Sequence, residues 1–233
     1  MELSKRLKTV AGAVTPGNRV ADIGTDHGYV PIYLVKNNIC PSALAMDVNP
    51  GPLARAKEHI AEEGLTERIE VRLSDGLKEL DAKEADTIVI AGMGGDLTCR
   101  ILSAAPDILK EGKELVLSPQ SEWFKVRRLL FAFHYRIEKE WFLREDGKYY
   151  LVLRSSPGEM SLGEDSELYF EYGTYLPEER NPVFLEYLEK ESAKKKAILA
   201  SLRSQEKKRT AQTEQRCKEL EKDIEIINRY LNI

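Results

Sequence analysis

The chain has 233 residues, enough for one α/β domain with a substantial core and a smaller appendage. Its apolar runs all fall short of the roughly 20 residues of a membrane helix, and three scattered cysteines, Cys40, Cys99 and Cys217, argue against a disulfide framework or a Cys-rich zinc site and for a reducing cytoplasm. A net charge of −4 excludes a uniformly basic nucleic-acid binder, although residues 183–233 hold 12 Lys and Arg against 9 Asp and Glu, so any basic face is local.

Leu3, Leu7, Val10 and Val14 share one face at helical spacing and predict a helix over 3–14. After Pro16-Gly17 the pattern changes to short apolar runs at Arg19–Ile23, Ser42–Met46, Ile69–Leu73, Thr87–Ala91 and Glu114–Leu117. Helical segments near 29–37, 52–64, 95–105 and 121–132 separate them. This alternation predicts a parallel sheet with helices on both faces. Two further runs, 135–143 and 148–154, flank the tight-turn pair Asp146-Gly147 and predict an antiparallel hairpin. The expected α/β domain therefore spans 1–156 and has a seven-stranded, mostly parallel sheet.

Residues 157–181 contain Pro157-Gly158, Gly163, Gly173 and Pro177 and predict a linker with little regular structure. Asn181-Pro182 is a helix start, because Asn caps and Pro suits the first helical position. Beyond it, Leu185, Leu188, Leu199 and Leu202 form one apolar stripe, and Leu220, Ile224, Ile227 and Leu231 form another. Folding back buries both stripes, so 182–233 is expected to be a helical, coiled-coil-like hairpin with its turn within Gln205–Thr213.

The strongest local signal is Val20-Ala-Asp22-Ile-Gly24-Thr-Asp26-His27-Gly28-Tyr29. An apolar strand enters a glycine turn that opens a helix, whose N-terminal N–H groups suit a carboxylate. The spacing is Gly-x-x-x-Gly, not the Gly-x-Gly-x-x-Gly of a dinucleotide turn. Asp22 and Asp26 are poor company for a pyrophosphate and suit a ligand with an ammonium and a sulfonium, which points to S-adenosylmethionine (SAM). The same loop also reads as a plain strand-to-helix turn. The next strand ends in Asp47-Val48, where an acid is placed for a ribose diol. The third ends in Ser74-Asp75-Gly76, with Asp75 suited to an adenine amino group and Gly76 to leaving room for the ring. The fourth ends in Ala91-Gly92-Met93-Gly94-Gly95, whose glycines let backbone lie close to a donor and its target. This segment lacks the Asp/Asn-Pro-Pro-aromatic sequence of many amino-group methyltransferases, which favours a ring nitrogen or another intrinsically nucleophilic acceptor.

Together, Leu3-Ser-Lys-Arg-Leu7, Ala21-Asp-Ile-Gly-Thr-Asp-His27, Ile90-Ala-Gly-Met-Gly-Gly95, Ser118-Pro-Gln120 and Glu145-Asp-Gly-Lys-Tyr149 resemble the bacterial tRNA (adenine(22)-N1)-methyltransferase family, TrmK, along the whole chain. The resemblance implies a class I SAM-dependent methyltransferase fold with a helical appendage, and N1 of an adenine in the tRNA D-arm as target. It implies that Asp22, Gly24, Asp26, His27 and Gly28 hold the methionine part of SAM, that Asp47 holds ribose, and that Asp75 and Gly76 hold adenine, with Val48 and Ser74 also against the cofactor. Gly92, Met93 and Gly94 would line the transfer site, with Ala91 against the cofactor and Gln120 toward the substrate. Asp26 and His27 are the catalytic candidates: an acceptor for the cationic product and a hydrogen-bonding partner of the base. Each has a plainer reading, as a SAM ligand or a packing group. Lys5, Arg6, Lys8, Arg127, Arg128, Lys194, Lys195, Lys196, Arg203, Lys207, Lys208 and Arg209 are candidate phosphate contacts, or solvated helix faces. No metal is expected, and the assembly is expected to be a monomer or a weak homo-oligomer. On the residues alone, a SAM enzyme for another RNA or a small molecule, and a non-catalytic SAM- or RNA-binding module, both stay open.

Overall fold

The computed structural model describes residues 2–160, 162, 166–173, 175–204 and 210–232. The chain divides into two compact units, Met1–Glu171 and Tyr172–Ile233.

In the first unit, α1 (Lys5–Ala13) leads into β1 (Val20–Ile23), α2 (Tyr29–Lys36), β2 (Ala43–Asp47), α3 (Pro50–Glu62) and β3 (Ile69–Leu73). There follow β4 (Thr87–Ala91), α4 (Gly95–Ser103), α5 (Pro106–Lys110), β5 (Glu114–Ser118), α6 (Trp123–Ala132), β6 (Tyr135–Glu145) and β7 (Lys148–Pro157). The seven strands form one sheet in the order β3-β2-β1-β4-β5-β7-β6. β1 to β5 pair in parallel, and β7 runs antiparallel to both β5 and β6. Every residue of β1 is buried, as a central parallel strand covered on both faces requires. Asp146 and Gly147 both have positive φ, 47° and 75°, the geometry that a two-residue hairpin turn demands. α1 is capped by Ser4, whose Oγ accepts from Leu7 N–H, and it buries Val10, Ala11 and Ala13.

Strand order reverses between β1 and β4. At such a switch point the connecting helices leave toward opposite faces, and a crevice opens beyond the carboxyl ends of the strands. All four candidate loops sit at those ends.

Two expectations are corrected. The stretch 157–181 is not free of regular structure, because it carries α7 (Ser166–Tyr172) and α8 (Tyr175–Glu178). Their apolar groups hold them in place despite the Gly and Pro: Phe170, Tyr172 and Leu176 are all buried. Helix α5 was not foreseen either; one and a half turns opening on Pro106 are too short to show a periodicity.

In the second unit, α9 (Pro182–Ser204) and α10 (Ala211–Asn232) pack together. Lys195 pairs with Asp223 and Arg203 with Glu221, a register that runs the helices antiparallel. Asn181 Oδ1 accepts from Val183 and Phe184 N–H at 3.1 and 3.0 Å and caps α9 as its sequence predicts. Phe184, Leu188, Leu199, Leu220 and Ile227 form the seam. Of the turn expected within Gln205–Thr213, positions 205–209 lie outside the described residues. Among the described residues, no helix is long and apolar enough to cross a membrane.

Candidate active site

The loop after β1 is pinned by its first two amides, since Gly24 and Thr25 N–H both donate to Met46 O, at 2.8 and 2.9 Å. Gly24, His27 and Gly28 then take positive φ, and Gly28 becomes the N-cap of α2 without a side-chain cap. The N–H groups of Gly28, Tyr29 and Val30 have no acceptor among the described residues, which leaves that helix end ready for an anion. Asp22 lies just below, 6% exposed. Burial pushes its carboxyl up to about 6; the Thr25 side chain opposes the rise and the Asp47 charge adds to it. No basic side chain among the described residues offsets that charge. A buried carboxylate without a counter-cation, beside a helix N-terminus without a counter-anion, matches the two charged ends of an amino acid.

Asp26 projects outward, 76% exposed, with Oδ1 3.2 Å from His27 Nε2 and 4.0 Å from Arg55. His27 lies in a cluster of near-parallel rings with Tyr29 and His59. His59 also approaches His27 O at 3.0 Å, a support that the sequence did not flag.

Beside this loop is a cavity of about 400 Å³ lined by Gly24, Asp47, Val48, Ser74, Asp75, Gly76 and Met93, together with Leu97 and Ile101 of α4 and its C-cap residue Ala104. The α4 residues were missed, although their spacing of three to four marks one helix face. Val48 is 56% exposed, an apolar side chain left open over the cavity and suited to a flat ring. Asp47 Oδ1 accepts from Asn49 N–H at 2.7 Å, which orients its carboxylate. The Ser74 hydroxyl is spent on its own loop, donating to Gly76 O at 2.8 Å and accepting from Glu79 N–H. Asp75 is exposed and paired with Lys78 at 2.6 Å, which holds its carboxyl below the usual carboxylate range. Gly76 is also held to glycine by packing: at φ +64°, a Cβ would lie 3.1 Å from Ile101 Cγ2.

The glycines after β4 divide similarly. A Cβ on Gly92 would meet Arg6 Nη1 at 3.7 Å and Gln120 Nε2 at 3.9 Å. Arg6 is thereby brought to the end of β4 from a residue far away in sequence, and its guanidinium lies over the Tyr150 ring. Met93 covers Gly24, where a Cβ would collide with its Cε. Gly94 and Gly95 do not face the cavity; they lie against Ser121 and Glu122, with 2.5 Å from a Gly95 Cβ to Ser121 O. Gly95→Ala is therefore expected to cost about 1–3 kcal/mol through backbone displacement, read as a lower midpoint in denaturant titration. An unchanged midpoint would show that the contact is not tight.

The phosphate candidates separate sharply. Arg127 is 1% exposed and cannot reach RNA; it binds Glu140 at 2.8 Å and donates to Phe170 O and Glu171 O. Its neighbours Val126 and Leu130 are buried, so it sits on the inner face of α6. Arg128 is half-exposed and paired with Glu167. Lys5 is exposed at the start of α1, its backbone N–H held by Glu145, and Lys8 pairs with Glu2. Lys195 is engaged with Asp223 across the helical pair. Lys194 and Lys196 are exposed, and Lys207, Lys208 and Arg209 lie outside the described residues.

A sheet of this order, with a buried acid, a glycine turn and an acid-tipped second strand at its switch point, is that of a SAM-dependent methyltransferase; a family model described as "Methyltransferase domain" matches residues 3–153. The tRNA (adenine(22)-N(1))-methyltransferase of Bacillus subtilis is 35% identical, covering 100% of this chain and 98% of the relative. The crystal structure of B. subtilis TrmK superposes with a TM-score of 0.89 at 36% identity, covering 99% of both chains. A Streptococcus pneumoniae protein described as a putative tRNA (m1A22) methyltransferase, solved in complex with SAM, gives 0.86 at 32%, covering 99% of this chain and 100% of that one. The chain belongs to the tRNA (adenine(22)-N1)-methyltransferase family.

Proposed function

We propose that this protein transfers the methyl group of SAM to N1 of adenine 22 in tRNA. The observation that carries the proposal is the buried, uncompensated Asp22 carboxylate at the switch point, in a chain related end to end to an enzyme of that name. When bound, SAM supplies an electrophilic methyl carbon. Asp22 takes its ammonium, the N–H groups at the start of α2 its carboxylate, Asp47 its ribose diol, and Val48, Ile101 and Gly76 frame its adenine.

N1 of neutral adenine already carries a free lone pair, so the site needs no strong base. The new C–N bond forms as the C–S bond breaks, and the positive charge passes from sulfur to the purine. The protein's share is alignment and water exclusion, and Asp26 is assigned as the acceptor for the cationic product. N1 lies on the pairing edge, so the base must leave its partner at a cost of a few kcal/mol. Arg6, Lys5 and the exposed Lys194 and Lys196 are assigned to RNA phosphates.

The test is to incubate unmodified tRNA with protein and SAM and to analyse its nucleosides by mass spectrometry. One N1-methyladenosine per tRNA, mapped to position 22, is expected. Binding should weaken steeply with salt if several phosphates are neutralised. SAM binding with no modified nucleoside would leave a non-catalytic module, and a different product would move the target.

A further inference from the structure

Two hydrogen-bond donors converge on the bare α-carbon of Gly92, at the end of β4. They are Arg6 Nη1, buried and without a hydrogen-bond partner among the described residues, and Gln120 Nε2. The Gln120 side chain is exposed. Its backbone is locked in place: Gln120 N–H donates to Met93 O at 2.8 Å and Gly92 N–H donates to Ser118 O at 3.1 Å. The next residue, Met93, lines the SAM cavity. Gln120 is therefore anchored through its backbone to Met93 in the wall of the cavity assigned to SAM, and its amide lies beside the end of β4.

The chemistry of adenine decides what such a group can read. A donor placed on N1 would occupy the lone pair that the reaction uses, so recognition must fall elsewhere on the ring. A glutamine amide has one acceptor and one donor, which match N6–H and N7 of the Hoogsteen edge. Guanine presents O6 and N7, two acceptors, and leaves the glutamine oxygen opposed. Arg6 offers donors alone and suits guanine or phosphate, so discrimination falls to Gln120. We propose that Gln120 reads the N6/N7 edge of the target adenine and leaves N1 bare toward the methyl group. This rests on the proposed methyl transfer to adenine and names the residue that selects the base.

The test uses the full-length protein and tRNAs carrying adenosine or 7-deazaadenosine at the target position, a change that removes the N7 acceptor and keeps N1. The wild type is expected to lose about 2- to 12-fold in kcat/KM on the 7-deaza substrate, the range for one lost hydrogen bond. Gln120→Ala should lose more on adenosine, about 5- to 150-fold for the whole bidentate contact, and no longer distinguish the two. Gln120→Glu, with no donor for N7, should be poor on adenosine and recover on 7-deazaadenosine. Unchanged SAM binding and unfolding midpoints in both variants separate a recognition role from a structural one. Equal turnover of the two substrates by the wild type, or undiminished discrimination by Gln120→Ala, overturns the assignment. No methylation of the adenosine tRNA by the wild type overturns the proposed activity, and this inference with it.

Discussion

Asp22→Asn is expected to weaken SAM binding sharply and, at neutral pH, to make the protein more stable. The folded carboxyl sits at about 6 against an ordinary value of 3.8, so the native state holds its proton more tightly than the unfolded chain does. Such a group costs nothing below pH 3.8, where both states are protonated, and weakens the fold progressively as pH rises through 6. The full penalty above that window is about 3 kcal/mol at 1.36 kcal/mol per unit. Asparagine removes the charge, so the variant's unfolding midpoint should exceed the wild type's at pH 7 and coincide with it near pH 3.8 or below. Its SAM affinity should fall by at least about thirtyfold, the lower end for leaving a buried charge unpaired. In the wild type, calorimetric SAM affinity should drop about tenfold per pH unit below 6, because the proton competes with the ammonium. A variant that binds SAM normally would remove Asp22 from the site.

Arg127→Met is expected to destabilise the first unit by about 3–5 kcal/mol, because it strands the Glu140 carboxylate in the interior. The carbonyls of Phe170 and Glu171 lose a donor in the same step. Replacing both charges, as Arg127→Met with Glu140→Leu, should recover a large part of the loss, since two apolar groups leave no orphaned ion. Chemical denaturation of the two single variants and the double variant gives the coupling. A surface phosphate contact would behave in the opposite way: stability would hold, and tRNA binding would lose salt dependence. Equal stability of Arg127→Met and wild type would refute the buried pair.

The contrast between these residues shows what was legible. Asp22, Asp47 and Asp75 were readable because each lies within two residues of a strand's end, and a strand-to-turn transition leaves its mark within a few positions. The hairpin turn at Asp146-Gly147 was readable for the same reason. Arg127 carried a signal too, lying between buried Val126 and Leu130, but a basic dipeptide on a helix is usually solvated. Only Glu140, 13 residues on in a strand that packs beside α6, turns it into a core residue.

The sequence by itself determined the alternation of strands and helices, the acidic strand tips and the glycine turn, because steric and hydrophobic periodicities act over a few residues. It also carried the family likeness, spread over short motifs. Only the tertiary structure decided which residues meet at Gly92, which glycines face ligand and which face backbone, and which arginine is buried. Those outcomes depend on strand order and on crossovers that bring Arg6 of α1 and Gln120 after β5 to one point, and no local pattern encodes that encounter.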